Sequence, residues 1–208
     1  YFLRQGPHFA WVSLGMAGIT LVAMAGVIGY LSPDPIQNVE QRLNGLLDQR
    51  LAQIEGPEDQ AQRAEAELES VIPPVARVLP GSIAGGVLLF WWINLGVGLR
   101  LAAALEPIPD MGSALRAFRL PDSLVWALLG LGLLGWLAWP GGAAYWAFNA
   151  IGVLAVLYFA QGLAVVHAAR LAFGLGRGWL VAFYVLIGIL IQMVLAVALL
   201  GLADVWAD

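Results

Sequence analysis

The 208-residue sequence contains no cysteine, which excludes disulfides, thiolate metal sites, Fe–S ligation and cysteine nucleophiles. It contains no lysine either; all ten basic residues are arginine. Charge is scarce: 12% of residues are charged, against roughly 25% in ordinary soluble domains. Histidine occurs twice, as His8 and His167, too far apart in sequence to suggest a metal pair. No HExxH, Walker A or GxSxG pattern is present, so the sequence offers no zinc-protease, P-loop or hydrolase signature. No basic, aromatic platform suits nucleic acid. No acidic residue falls in the middle of an apolar run, which argues against an ion-coupled pump. We therefore expect no catalytic residues, no metal, no cofactor and no nucleic-acid partner.

What the sequence has is apolar length. Hydrophobic residues make up 61% of it, and a bilayer-spanning helix needs roughly 20 of them in a row. Five runs qualify by pattern, at 9–31, 81–105, 123–139, 145–173 and 179–203. The expectation is an all-α, polytopic transmembrane helical bundle of about five spans with an extramembrane helical hairpin. Residues 1–31 hold the first span, 32–80 the hairpin, and 81–208 a four-helix bundle. The sequence starts at Tyr1 rather than methionine, which leads us to expect a longer parent chain.

Arginines near span ends set orientation, because short cytoplasmic connections collect them. With alternating spans, Arg4, Arg100, Arg116, Arg119, Arg170 and Arg177 all fall on one side. That side is expected to be the interior of a bacterial inner membrane. Residues 32–80, the Pro140–Ala144 turn and the C-terminus with Asp204 and Asp208 are then extracytoplasmic. Tryptophans fit the same frame, since indoles favour the headgroup region. Trp11, Trp126 and Trp179 open spans on the inside, and Trp136, Trp139, Trp146 and Trp206 lie at outer ends. Trp91 and Trp92 fall mid-span and are assigned to helix packing.

The polar stretch 32–80 carries nine acidic residues and four arginines. Asp34 suits an N-cap and Pro35 the first helical position. Ile36, Val39, Leu43, Leu47, Leu51 and Ile54 form one apolar stripe, which Gly56-Pro57 should end. Glu58 and Asp59 favour the start of a second helix, and Pro73-Pro74 should stop it. Its stripes either pack on each other and the bilayer or dock another protein.

Within the spans, Asn94, Gln161, His167 and Gln192 are candidate ligand-binding groups, because intramembrane polar residues are functional candidates by default. They would converge on a pocket for a small polar molecule. Ala160, Ala164, Ala168 and Ala172 recur at four-residue steps and admit a close neighbour. The fifth span offers a matching band with Tyr184, Gly188 and Gln192. On the plain packing reading the same polar groups are interhelical glue. A membrane enzyme using His167 as base ranks last, for want of a carboxylate partner.

The stretches FRLPDSLVWALLGLGLL (118–134), LYFAQGLAVVHAARL (157–171) and LADVWAD (202–208) resemble the YybS-like family of bacterial membrane proteins of unknown function. The resemblance covers about residues 80–208. It implies a distant likeness to the substrate-binding membrane subunits of energy-coupling-factor transporters, hence a bundle that captures a small molecule and docks on an ATP-driven module. It carries over no substrate residue. The expected function is an integral inner-membrane, transporter-like protein that binds a small molecule without catalysis of its own. The alternative is a structural or accessory subunit of a larger membrane complex, docked through span four and the outer hairpin. Expected partners are the lipid bilayer and either a membrane protein or a second copy.

Overall fold

Gly6–Leu31 forms α1, an apolar 26-residue helix with no charged group in either terminal turn. Ile19, Val22 and Val27 remain largely exposed, as they should where hydrocarbon is the solvent. The computed structural model describes residues 6–31, 34–51, 58–103, 105, 115, 116 and 118–206. After α1 come α2 (Pro35–Leu51) and α3 (Glu58–Ala103), then α4 (Leu124–Leu137), α5 (Gly142–Ala172), α6 (Arg177–Ile189) and α7 (Gln192–Asp204). Among the described residues every regular element is a helix, so the all-α bundle stands.

Among the described residues, three helices are long and apolar enough to cross a bilayer, namely α1, α3 and α5, and the α6–α7 pair makes a fourth if taken together, against the five spans expected. The stretch expected as span three condenses to α4, whose 14 residues reach about 21 Å at ~1.5 Å each. The stretch expected as span five is broken: α6 and α7 differ in direction by 118°. The break falls at Leu190, whose backbone is extended at φ −111° and ψ 96°. No proline marks it, but Ile187, Gly188, Ile189 and Ile191 are all weak helix formers.

The outer prolines also depart from expectation. Pro73, Pro74 and Pro80 all lie inside α3, which runs unbroken for 46 residues from the polar segment through the second span. Pro80 has no N–H, so the Ala76 carbonyl loses its helical donor. The Tyr145 hydroxyl of α5 replaces it at 3.1 Å. One residue on, the Asn149 side-chain amide is inserted into the ladder: its Oδ1 accepts from the Gly81 N–H at 2.6 Å and its Nδ2 donates to the Arg77 carbonyl at 2.8 Å. A neighbouring helix thus supplies what proline removes, which is how membrane helices tolerate it. At the start of α2, the Asp34 cap is as expected. Its carboxylate accepts from the amides of Ile36 and Gln37 at 3.0 and 3.1 Å. The Gly56-Pro57 stop lies outside the described residues.

Helix α5 is the axis of the bundle. Half of its spanning window is buried, against 11% for α1, and it packs on α3, α4 and α7. Its contact with α7 is made through glycine. A methyl group at Gly162 would strike the Val197 carbonyl, and one at Gly201 would strike the Tyr158 carbonyl and the Gly162 nitrogen. Only two bare backbones can approach this closely. Gly174 closes α5 with φ +62°. The amides of Gly174 and Leu175 bond back to the carbonyls of Leu171 and Arg170, a Schellman pair that requires a left-handed residue.

Gln161 sits beneath this contact, 1% exposed. It accepts from the Leu120 amide at 3.2 Å and donates to the Asp204 carboxylate at 3.0 Å. One side chain therefore holds the entry to α4 and the end of α7 at the same level. Through Gln161, Asp204 comes to the level of Leu120, at the arginine-bearing entry to α4. Asp208 lies outside the described residues.

Candidate functional site

Near this end, α1 meets α3 through an aromatic cluster. Phe9 stacks on Trp91 at 5.6 Å between ring centroids and meets Phe118 edge-on at 5.5 Å. Trp92 donates its indole N–H to the buried Ser13 hydroxyl at 3.0 Å, and that hydroxyl donates in turn to the Phe9 carbonyl. Both tryptophans are spent on packing, and the cluster fixes one wall of a cleft.

The cleft has a volume of about 380 Å3. Its α3 wall is one helical stripe: Leu89, Trp92, Ile93, Gly96, Val97 and Arg100, at the three- and four-residue spacing of a single face. The facing wall is Phe159, Ala160, Leu163 and His167 of α5, with Phe9, Leu115 and Tyr184 at the margins. Most of this surface is hydrocarbon. Polarity gathers at one end, where His167 Nε2 and the Tyr184 hydroxyl are 2.8 Å apart; Arg100 is the arginine of the same lining. Arg116 and Arg170 are the charges that act on His167. The site can therefore shelter an apolar body and hydrogen-bond a polar tip.

A second cavity of about 380 Å3 lies at the opposite end, between Ile36, Arg77, Val78, Trp139 and Tyr145. There the single charged group is already engaged, with the Arg77 guanidinium 5.9 Å from the Trp139 ring centroid. The cleft at Arg100 is the better binding candidate.

The four polar residues singled out in the sequence do not meet. Of Asn94, Gln161, His167 and Gln192, only His167 lines the cleft. Asn94 points back along its own helix, donating to the Phe90 carbonyl at 2.7 Å, and is exposed. Gln161 is the internal clip described above. Gln192 is exposed at the first position of α7, beside the break. The alanine ladder divides as well. Ala160 and Ala164 are buried, Ala168 and Ala172 are exposed, and a Cβ at Gly188 would meet nothing within 4 Å. Facing α7, the close approach comes from Gly162 and Gly201 instead.

Two roles escaped the sequence reading: Arg100 lines the cleft, and Asn149 repairs the α3 ladder beside Pro80. The stripe from Leu89 to Arg100 was the available signal for the cleft, with Gly96 leaving space in its middle. Among the described residues no three metal-ligating side chains cluster.

A family model described as "Predicted membrane protein (DUF2232)" matches residues 3–205. No curated protein and no solved structure matches the chain.

Proposed function

The chain belongs to the DUF2232 family of predicted membrane proteins, and from that premise we propose that it is a membrane-embedded binding protein. It takes a small molecule into the cleft between α3, α5 and α6 and performs no catalysis on it. The observation that carries this reading is the cleft itself: an apolar channel of about 380 Å3 with hydrogen-bonding and cationic groups confined to one end. Small-molecule sites have this composition, mostly apolar with a few placed polar groups.

Transporter-like behaviour follows from how α6 is attached. Its link to α5 is the His167–Tyr184 hydrogen bond, and α7 begins only after the break at Leu190. A helix held this lightly over the mouth of a cleft can swing without unpacking the core. The YybS-like resemblance and its distant likeness to energy-coupling-factor subunits point the same way, toward capture of a small molecule and hand-over to an energised partner. We place the arginine-bearing end, with the C-terminal end of α7, on the cytoplasmic face of a bacterial inner membrane. Helix α2 and the outer half of α3 then lie outside.

The accessory-subunit reading keeps one supporting observation. Leu46 on α2 and Val71, Val75 and Val78 on α3 are exposed outside the apolar core. Docking through span four would use Ala168 and Ala172, the exposed steps of the alanine ladder.

The binding reading is tested by native mass spectrometry of the protein released from membranes in a neutral detergent. Leu163→Trp fills the cleft. Wild-type protein should carry a bound small molecule that Leu163→Trp lacks; identical bound masses on both would refute the proposal.

A further inference from the structure

Resting on the cleft reading above, we infer that the occupant is a single-chain amphiphile with an anionic head, a phosphate or a carboxylate. Shape is the first argument. From Leu89 to Arg100 the stripe runs about 16 Å at ~1.5 Å per residue, apolar throughout and ending on a guanidinium. Leu89, Ile93 and Val97 are exposed, so the channel is open sideways to the bilayer. An acyl or alkyl chain dissolved in the leaflet can enter without leaving hydrocarbon. The volume of about 380 Å3 lies low in the ~300–1,000 Å3 range of small-molecule sites, room for one chain rather than two.

Charge is the second argument. Arg100 lines the polar end, and Arg116 and Arg170 both act on His167 of the same lining, the Arg170 Nε also donating to the Leu175 carbonyl at 3.0 Å. Among the described residues no carboxylate forms an ion pair with any of these three arginines. Among the described residues, two acids near this end are engaged elsewhere: Asp122 faces Arg119 at 3.9 Å, and Asp204 accepts from Gln161. A cationic head would meet like charge here. A phosphate or carboxylate would gain charge-assisted hydrogen bonds from Arg100 and a further donor from the His167–Tyr184 pair.

The test is competition binding to the intact chain in non-ionic detergent, read by native mass spectrometry. The probes are dodecyl phosphate, laurate, monolaurin, inorganic phosphate and dioleoyl phosphatidate. Dodecyl phosphate and laurate should bind at least ~10-fold tighter than monolaurin, and Arg100→Gln, at an exposed position, should cut that preference below about threefold while monolaurin still binds. Inorganic phosphate should not compete, and phosphatidate should compete poorly. Equal binding of dodecyl phosphate and monolaurin, or a preference untouched by Arg100→Gln, overturns the anionic head and leaves the cleft reading standing. Phosphatidate binding tighter than dodecyl phosphate overturns the single chain in favour of a bilayer lipid. Binding of all probes unchanged in Leu163→Trp overturns the cleft reading itself.

Discussion

Replacing Asn149 by alanine should destabilise the bundle in a way that depends on Pro80. The side chain is 3% exposed and bonds both the Gly81 amide and the Arg77 carbonyl. Without it those two main-chain groups are buried and unpaired, at ~1–3 kcal/mol each when a partner is simply deleted. Interhelical hydrogen bonds in bilayers measure lower, with a maximum near ~1.7 kcal/mol, because the unfolded chain also finds partners. Two bonds to main chain opened by a proline place the loss at about 2–3 kcal/mol. In Pro80→Ala the helix regains an N–H and can close its own ladder, so Arg77 and Gly81 pair with each other. Asn149→Ala should then cost under ~1 kcal/mol, a coupling of about 2 kcal/mol in a double-mutant cycle. Equilibrium unfolding of the four variants in mixed micelles measures it. Additivity within ~0.5 kcal/mol would show that Asn149 does not repair the proline site.

Four further outcomes are expected. Gly162→Ala and Gly201→Ala each drive a methyl group into backbone; overpacking of ~3 kcal/mol less the ~1 kcal/mol gained in helix propensity leaves each about 2 kcal/mol less stable. Gly152→Ala, whose Cβ meets nothing within 4 Å, should be neutral or slightly stabilising in the same unfolding assay. Tyr184→Phe removes only the hydroxyl that tethers α6 to His167, so amide exchange over 177–189 should accelerate while α5 exchange is unchanged. The natural absence of cysteine permits single-site labelling of intact cells: Leu46→Cys should react with an impermeant maleimide, whereas Arg119→Cys and Trp206→Cys should react only after permeabilisation. Labelling of Trp206→Cys without Arg119→Cys would contradict the shared end of the bundle.

The sequence made the membrane environment legible, because apolar run length is a property of the chain alone. Asp34 was legible for the same reason: a cap bonds its own next turn. Pro73 and Pro74 misled, since local rules stop a helix at proline, and the repair at Pro80 comes from Tyr145 and Asn149, 69 and 68 residues away from the groups they bond. The alanine ladder misled differently. Helical spacing picks out a face but not which neighbour it meets, and α7 settled on Gly162, between the steps of the ladder. Of the proposed site, His167 was visible as a rare polar group. Its partner was not, since Tyr184 reaches it only through the packing of α6, and Arg100 joins the same lining only through the packing of α3. The break at Leu190 had no breaker residue to announce it.

The unbroken course of α3 has a mechanical consequence. Its 46 residues span about 69 Å at ~1.5 Å each, so one rod carries the acidic arm at one end and a wall of the cleft at the other. The rod is pinned to its neighbour near Pro80, close to its midpoint, by Tyr145 and Asn149. Arm and cleft wall therefore belong to one element, joined through the pin at Pro80; on the cleft side a second tie, from Trp92 to Ser13 of α1, holds the rod again.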